Sequence, residues 1–166
     1  AKEGMRFDNF VCSNSICSPS RAAILTGQYS HKNGVRGLNG SINDDSPQYP
    51  VELQKAGYQT WLVGKWHLRS QPRGYDRHMT VKGQGSYFDP TFTGSEGEWR
   101  KVEGYSTDVY TDIAMKWLKA RDRRKPFLLS LQFKAPHHDY GHARRYDDLL
   151  AGAADQFTDV NRSPDD

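Results

Sequence analysis

Cys17 stands immediately before Ser18-Pro19, a pair suited to opening a helix, and Arg21 follows four residues on. A helix start offers free backbone N–H groups and the positive end of the helix dipole, both of which favour an anion. Arg21, one turn along, can reach the same anion or the group on Cys17. Lys65 and His67 are two apart on an extended segment and project to the same side. His137 and His138 follow the apolar run 127–133 together with Lys134. A thiol, a guanidinium, an ammonium and imidazoles make an oxyanion pocket with a nucleophile and a proton carrier. Each has a plainer use: a Cys near a helix start is more often structural, and a lone strand-end His is more often a satisfied imidazole.

These groups need a frame to bring them together. Lys2-Glu3-Gly4 reads as a helix end, and residues 5–12 as a strand ending at Cys12, a small buried residue. Ser18 is the expected N-cap and Pro19 the first residue of a helix stopped by Gly27. Residues 30–49 are loop-like, 50–56 a short helix closed by Gly57, and 58–63 a strand running into Gly64. Residues 69–105 have little periodicity and read as a long functional loop or insertion. Residues 107–123 form the best helix, with Val109, Ile113, Trp117 and Leu118 on one face. Residues 127–133 read as a strand buried on both faces, and the tail after His138 as polar and irregular. Helices alternating with apolar strands predict an α/β fold with a mostly parallel sheet, whose ligands bind beyond the carboxyl ends of the strands.

Composition bounds the function. A formal net charge of +3 over 166 residues excludes a strongly basic nucleic-acid binder. No apolar run approaches the roughly 18 residues of a membrane span. Two cysteines make no disulfide framework. Leu, Ile, Val and Phe supply only 30 residues, just under the share that flags disorder, so the core looks small for the length. The four Trp, nine Tyr and seven Phe argue for packing nonetheless.

Ser15-Ile16-Cys17-Ser18-Pro19-Ser20-Arg21-Ala22-Ala23-Ile24-Leu25-Thr26-Gly27 resembles the first signature of the sulfatases. Gly57-Tyr58-Gln59-Thr60-Trp61-Leu62-Val63-Gly64-Lys65-Trp66-His67 is similar to the second, and Lys134-Ala135-Pro136-His137 to a later histidine motif. The resemblance implies an alkaline-phosphatase-like sandwich, here incomplete at both ends: part of an N-terminal catalytic domain. It implies that a maturation enzyme oxidises Cys17 to formylglycine, whose hydrate attacks sulfur and is later regenerated as the aldehyde. Arg21 would hold the hydrate and Lys65 the hydrate and sulfate oxygens. His67 would assist the elimination of sulfate, and His137 would bind sulfate or protonate the leaving oxygen.

The family also binds a divalent cation, usually calcium. Of its ligands the resemblance finds only the Cys17 position, the carboxylates falling outside this chain. Asp44-Asp45 reads as turn chemistry and Asp165-Asp166 as a solvated tail. The implied activity is hydrolysis of a sulfated carbohydrate. The stretches 83–88 and 104–108 are similar to those of bacterial-type enzymes acting on sulfated glycans, including N-acetylglucosamine 6-sulfate. Such enzymes are commonly periplasmic or secreted. Three rivals stay open: a phosphonate or phosphate ester hydrolase of the same superfamily, a non-catalytic fragment with unmodified Cys17, and a plain thiol enzyme. Only three residues separate Cys17 from Arg21, which argues against the familiar phosphatase loop with its five.

Overall fold

The computed structural model describes residues 3–95 and 97–149. The chain divides into two compact units, Ala1–Lys134 and Ala135–Asp166. Asp165-Asp166 and Lys2 lie outside the described residues.

The first unit contains helices α1 (Cys17–Thr26), α2 (Ser30–Asn33), α3 (Tyr49–Lys55) and α4 (Ser106–Ala120). Its strands are β1 (Gln59–Lys65), β2 (Arg77–Val81), β3 (Thr91–Gly94), β4 (Trp99–Lys101) and β5 (Phe127–Gln132). They form a mixed sheet in the order β4-β3-β2-β1-β5. β1 runs parallel to β2 and β5, whereas β3 and β4 join by antiparallel pairing. The expected α/β architecture holds, with an antiparallel extension on one side.

β1 is the central element, buried from Thr60 to Trp66. Side chains alternate between faces along a strand, and the two faces carry separate cores. Leu62 packs with Ala22 and Leu25 of α1, Val35, Ile42 and Trp66. Val63 packs with Val81, Phe92 and the Val109, Tyr110 and Ala114 side of α4. Burying side chains of this size stabilises by about 1.5–3 kcal/mol each. The helix of residues 107–123 is present as α4, but its deepest residue is Tyr110, fully buried against Phe92 and Phe133.

Several expectations need correction. Residues 5–12 pair with no strand of this sheet, and Met5, Phe7, Phe10 and Val11 are exposed. Asp8-Asn9 forms a turn, as the side chains of these two residue types favour, and it breaks the alternation a strand needs. Glu3 and Gly4 form a turn and a bend. Residues 69–105 are not one long loop, since β2, β3 and β4 lie there. Their polar faces and intervening glycines conceal short strands. β5 is an edge strand buried only at Ser130, because an edge lacks a neighbour on one side.

Gly64 is where the chain tolerates no side chain. Its φ is +111°, and an added Cβ would fall 2.0 Å from the Gln132 carbonyl oxygen of β5. Gly64→Ala should therefore force β1 and β5 apart and cost at least about 3 kcal/mol, combining backbone strain with overpacking. Chemical denaturation of the variant checks this; a loss under about 1 kcal/mol would contradict the packing described.

Within the second unit, Arg144–Tyr146 make a single 3-10 turn. His142 Nε2 lies 2.9 Å from Asp147 Oδ1.

Candidate active site

Cys17 is the first residue of α1, following Ile16, the N-cap, at φ −114° and ψ 142°. Ser18 does not cap the helix, contrary to expectation, because its hydroxyl is used elsewhere. Ser18 Oγ donates to the His67 carbonyl at 2.6 Å and approaches the Leu38 carbonyl at 3.4 Å. Gly27 ends the helix in the left-handed conformation at φ +65°.

Arg21 fastens the same helix to two strands. Its Nη1 donates to the Lys65 carbonyl at 2.7 Å and to Gln132 Oε1. The guanidinium thus spans the carboxyl ends of β1 and β5, placing the first turn of α1 where the fold rule expects a ligand. His67, just beyond β1, sits at φ +53°, a left-handed conformation that costs a non-glycine residue energy and tends to mark functional turns.

Lys65 is nearly fully buried, and its ammonium donates to Gln84 Oε1. Gln84 Nε2 lies 4.0 Å from Cys17 Sγ. Lys65 is held below its ordinary value first by burial, with Cys17 opposing, and then by the positive charges of Arg21 and Lys134. Burial likewise pulls Arg21 down, and Cys17 again opposes. Cys17 therefore faces a buried ammonium and a half-buried guanidinium, and attraction to any anion there is stronger than in water.

An open cleft of about 510 Å³ runs along this edge, lined in part by Cys12, Ser15, Cys17, Arg21, Trp66 and Gln132. Cys12 is exposed rather than buried, its Sγ donating to the Asn14 carbonyl at 3.0 Å.

The first unit brings Cys17, Arg21, Lys65 and the His67 backbone together. His137 belongs to the second unit, where its ring lies 4.1 Å from that of His138. Sequence reasoning missed Gln84, which sits in the Gly83-Gln84-Gly85 turn after β2. Both glycines have positive φ, 55° and 69°. The Gly-x-Gly spacing was the available signal, but with 69–105 read as one loop nothing tied it to Lys65.

Asp44-Asp45 forms an exposed turn, as expected. Among the described residues no three His, Cys, Asp or Glu side chains cluster to hold a metal ion. These residues alone do not compose a calcium site.

A thiol facing a guanidinium and an ammonium at the strand ends of an α/β sheet is the arrangement of an anion-handling protein. The chain belongs to the sulfatase family, whose match covers residues 1–163. It is 44% identical over 149 residues to an N-acetylglucosamine-6-O-sulfatase of Bacteroides thetaiotaomicron, covering 88% of this chain and 26% of that protein. It is 31% identical over 174 residues to human N-acetylgalactosamine-6-sulfatase, covering 82% of this chain and 33% of that protein. A solved structure of BT4656 in complex with its substrate D-glucosamine-2-N,6-O-disulfate matches with a TM-score of 0.84 at 43% identity. That match covers 90% of this chain and 31% of the other. The chain thus spans about a quarter to a third of the length of the curated relatives it matches. No helix among the described residues is long and apolar enough to cross a membrane.

Proposed function

We propose that this chain is the nucleophile-bearing part of a sulfuric ester hydrolase that removes sulfate from a sulfated aminosugar. The observation that carries this is the meeting of buried Lys65 and half-buried Arg21 with Cys17, the first residue of Cys17-Ser18-Pro19-Ser20-Arg21. The substrate class rests on the two relatives named for 6-sulfated aminosugars and on the sugar in the BT4656 complex.

Formylglycine made from Cys17 by a maturation enzyme would supply, as its hydrate, the hydroxyl that attacks sulfur. The residues present fit that group: an oxygen on the Cys17 Cβ would stand among the Lys65 ammonium, the Gln84 amide and Arg21. In this reading Lys65 holds a hydrate oxygen and a non-bridging sulfate oxygen, offsetting negative charge as it grows. Arg21 aligns the opening of α1 with β1 and adds positive charge behind it. His67 accepts a proton from the second hydroxyl, and His137 binds sulfate or protonates the departing sugar oxygen, imidazole being suited to both near neutral pH. The chain is proposed to be part of an N-terminal catalytic domain, in which Cys17 is one ligand of a divalent cation and residues outside this chain supply the rest. Export to the periplasm or beyond is proposed with it, and a nucleic-acid partner is not.

Mass analysis of the peptide carrying Cys17, after co-expression with a formylglycine-generating enzyme, tests the reading. Loss of sulfur with gain of an aldehyde is expected. An intact thiol would sink the hydrolase in favour of an inert or plain thiol protein, and preferential turnover of phosphate over matched sulfate esters would move it to the phosphate-ester rival.

A further inference from the structure

Lys134 follows β5 by two residues and stands, with no role yet assigned to it, at the same strand end as His137 in the sequence. Its side chain is 7% exposed, and its Nζ lies 4.7 Å from the centroid of the Tyr87 ring, over the ring face. Tyr87 is itself buried and stacks on Tyr105 at 6.5 Å and 9°, so the platform is fixed. Among the described residues no carboxylate lies within ion-pair distance of Lys134. An ammonium taken out of water without a counterion is costly. A cation–π contact offsets part of that cost at a desolvated site. Lys134 also acts on Lys65, adding to the like-charge pressure that Arg21 already exerts there.

Arg21 and Lys134 thus both repel Lys65, whose ammonium has the neutral Gln84 amide oxygen as its acceptor, and two of these three cations are buried lysines. Such an arrangement raises the energy of the empty site and lowers it again when a compact anion enters. Arg21 is committed to the Lys65 carbonyl and Gln132, and Lys65 to Gln84. Among the described residues the Lys134 ammonium makes no hydrogen bond, so the donors not turned to the ring face remain for a ligand.

We propose that Lys134 is a third anion-binding residue of this site, seated on Tyr87 so that its ammonium contacts a non-bridging oxygen of the sulfate held by Lys65. The inference rests on the sulfate-ester reading for its substrate, but its test uses inorganic sulfate and needs no turnover. The longer protein that carries this chain is produced without a maturation enzyme, so that Cys17 keeps its thiol, in a Cys12→Ser background. Alkylation of Cys17 by iodoacetamide is then followed against sulfate concentration, with ionic strength held by chloride.

Sulfate should protect Cys17. The concentration giving half protection should rise about tenfold or more in Lys134→Met, the loss of one charged hydrogen bond. It should return to within about threefold in Lys134→Arg, which keeps the charge on the ring. A structural role alone would lower the unfolding midpoint of Lys134→Met and leave the sulfate dependence where it was, which overturns the proposal. Absence of protection in the parent protein overturns it too. If Lys134→Met does not fold, Lys134→Gln, which keeps a polar end, is read in the same way. Protection that depends on Lys134, together with a Cys17 thiol left intact even after co-expression with a formylglycine-generating enzyme, sustains this inference and sinks the hydrolase reading instead.

Discussion

Cys17→Ala, in the full-length protein that carries this chain, should lower turnover of a 6-sulfated glucosamine by about 10⁴-fold or more, because it deletes the atom on which the nucleophile is built. The fold should survive. Cys17 is not the cap of α1, a place held by Ile16, and its sulfur makes a long approach to the Gln84 amide and interacts with the Lys65 ammonium. Loss of one partly exposed thiol should cost no more than about 1 kcal/mol. The measurement pairs sulfate release with thermal unfolding on the same preparation. Retained turnover at an unchanged melting temperature would refute the assignment of Cys17.

Arg21→Lys should cost turnover by about 10²-fold or more although it conserves charge. The guanidinium bridges two acceptors at once, the Lys65 carbonyl and Gln132 Oε1. Both bonds leave the single nitrogen Nη1, and a lysine ammonium, on a shorter stem, does not reach the two acceptors together. With the bridge lost, a buried strand-end carbonyl and an amide oxygen go unpaired, a penalty of about 1–3 kcal/mol. Stability should therefore fall together with kcat. Arg21→Ala should be worse on both counts, since a long stem that packs is removed with the charge. Near-normal kcat in Arg21→Lys would show that charge alone matters at this position and that the bridge does not align the site.

Much of the site was legible because its residues lie at element ends, where local chemistry is strong. Gly27 and Pro19 mark α1 whatever surrounds them, and the apolar run before Lys65 marks β1. What could not be read depended on partners distant in sequence. Ser18 looks like an N-cap, but its hydroxyl goes to the His67 carbonyl, forty-nine residues away. Residues 5–12 have strand-like composition, yet a strand exists only through pairing, and none is made with this sheet. β3 and β4 are four and three residues long, too short for a period of two to rise above noise. Gln84 carries only the weak signal of its flanking glycines, because only the turn after β2 and the end of β1, brought side by side, give its amide a meaning.

The contacts that lock α1 onto β1 are made to main-chain oxygens, those of residues 65 and 67, and not to the side chains that would carry the chemistry there. Alignment and reactivity are thus assigned to different atoms of the same two residues. A residue at either position that keeps the main-chain conformation, left-handed at 67, still presents its carbonyl to Ser18 or Arg21, so the chemical character of this edge can be altered while the scaffold beneath it stays in register. Such a division lets a lineage explore new substrates at positions 65 and 67 without first having to rebuild the frame that displays them.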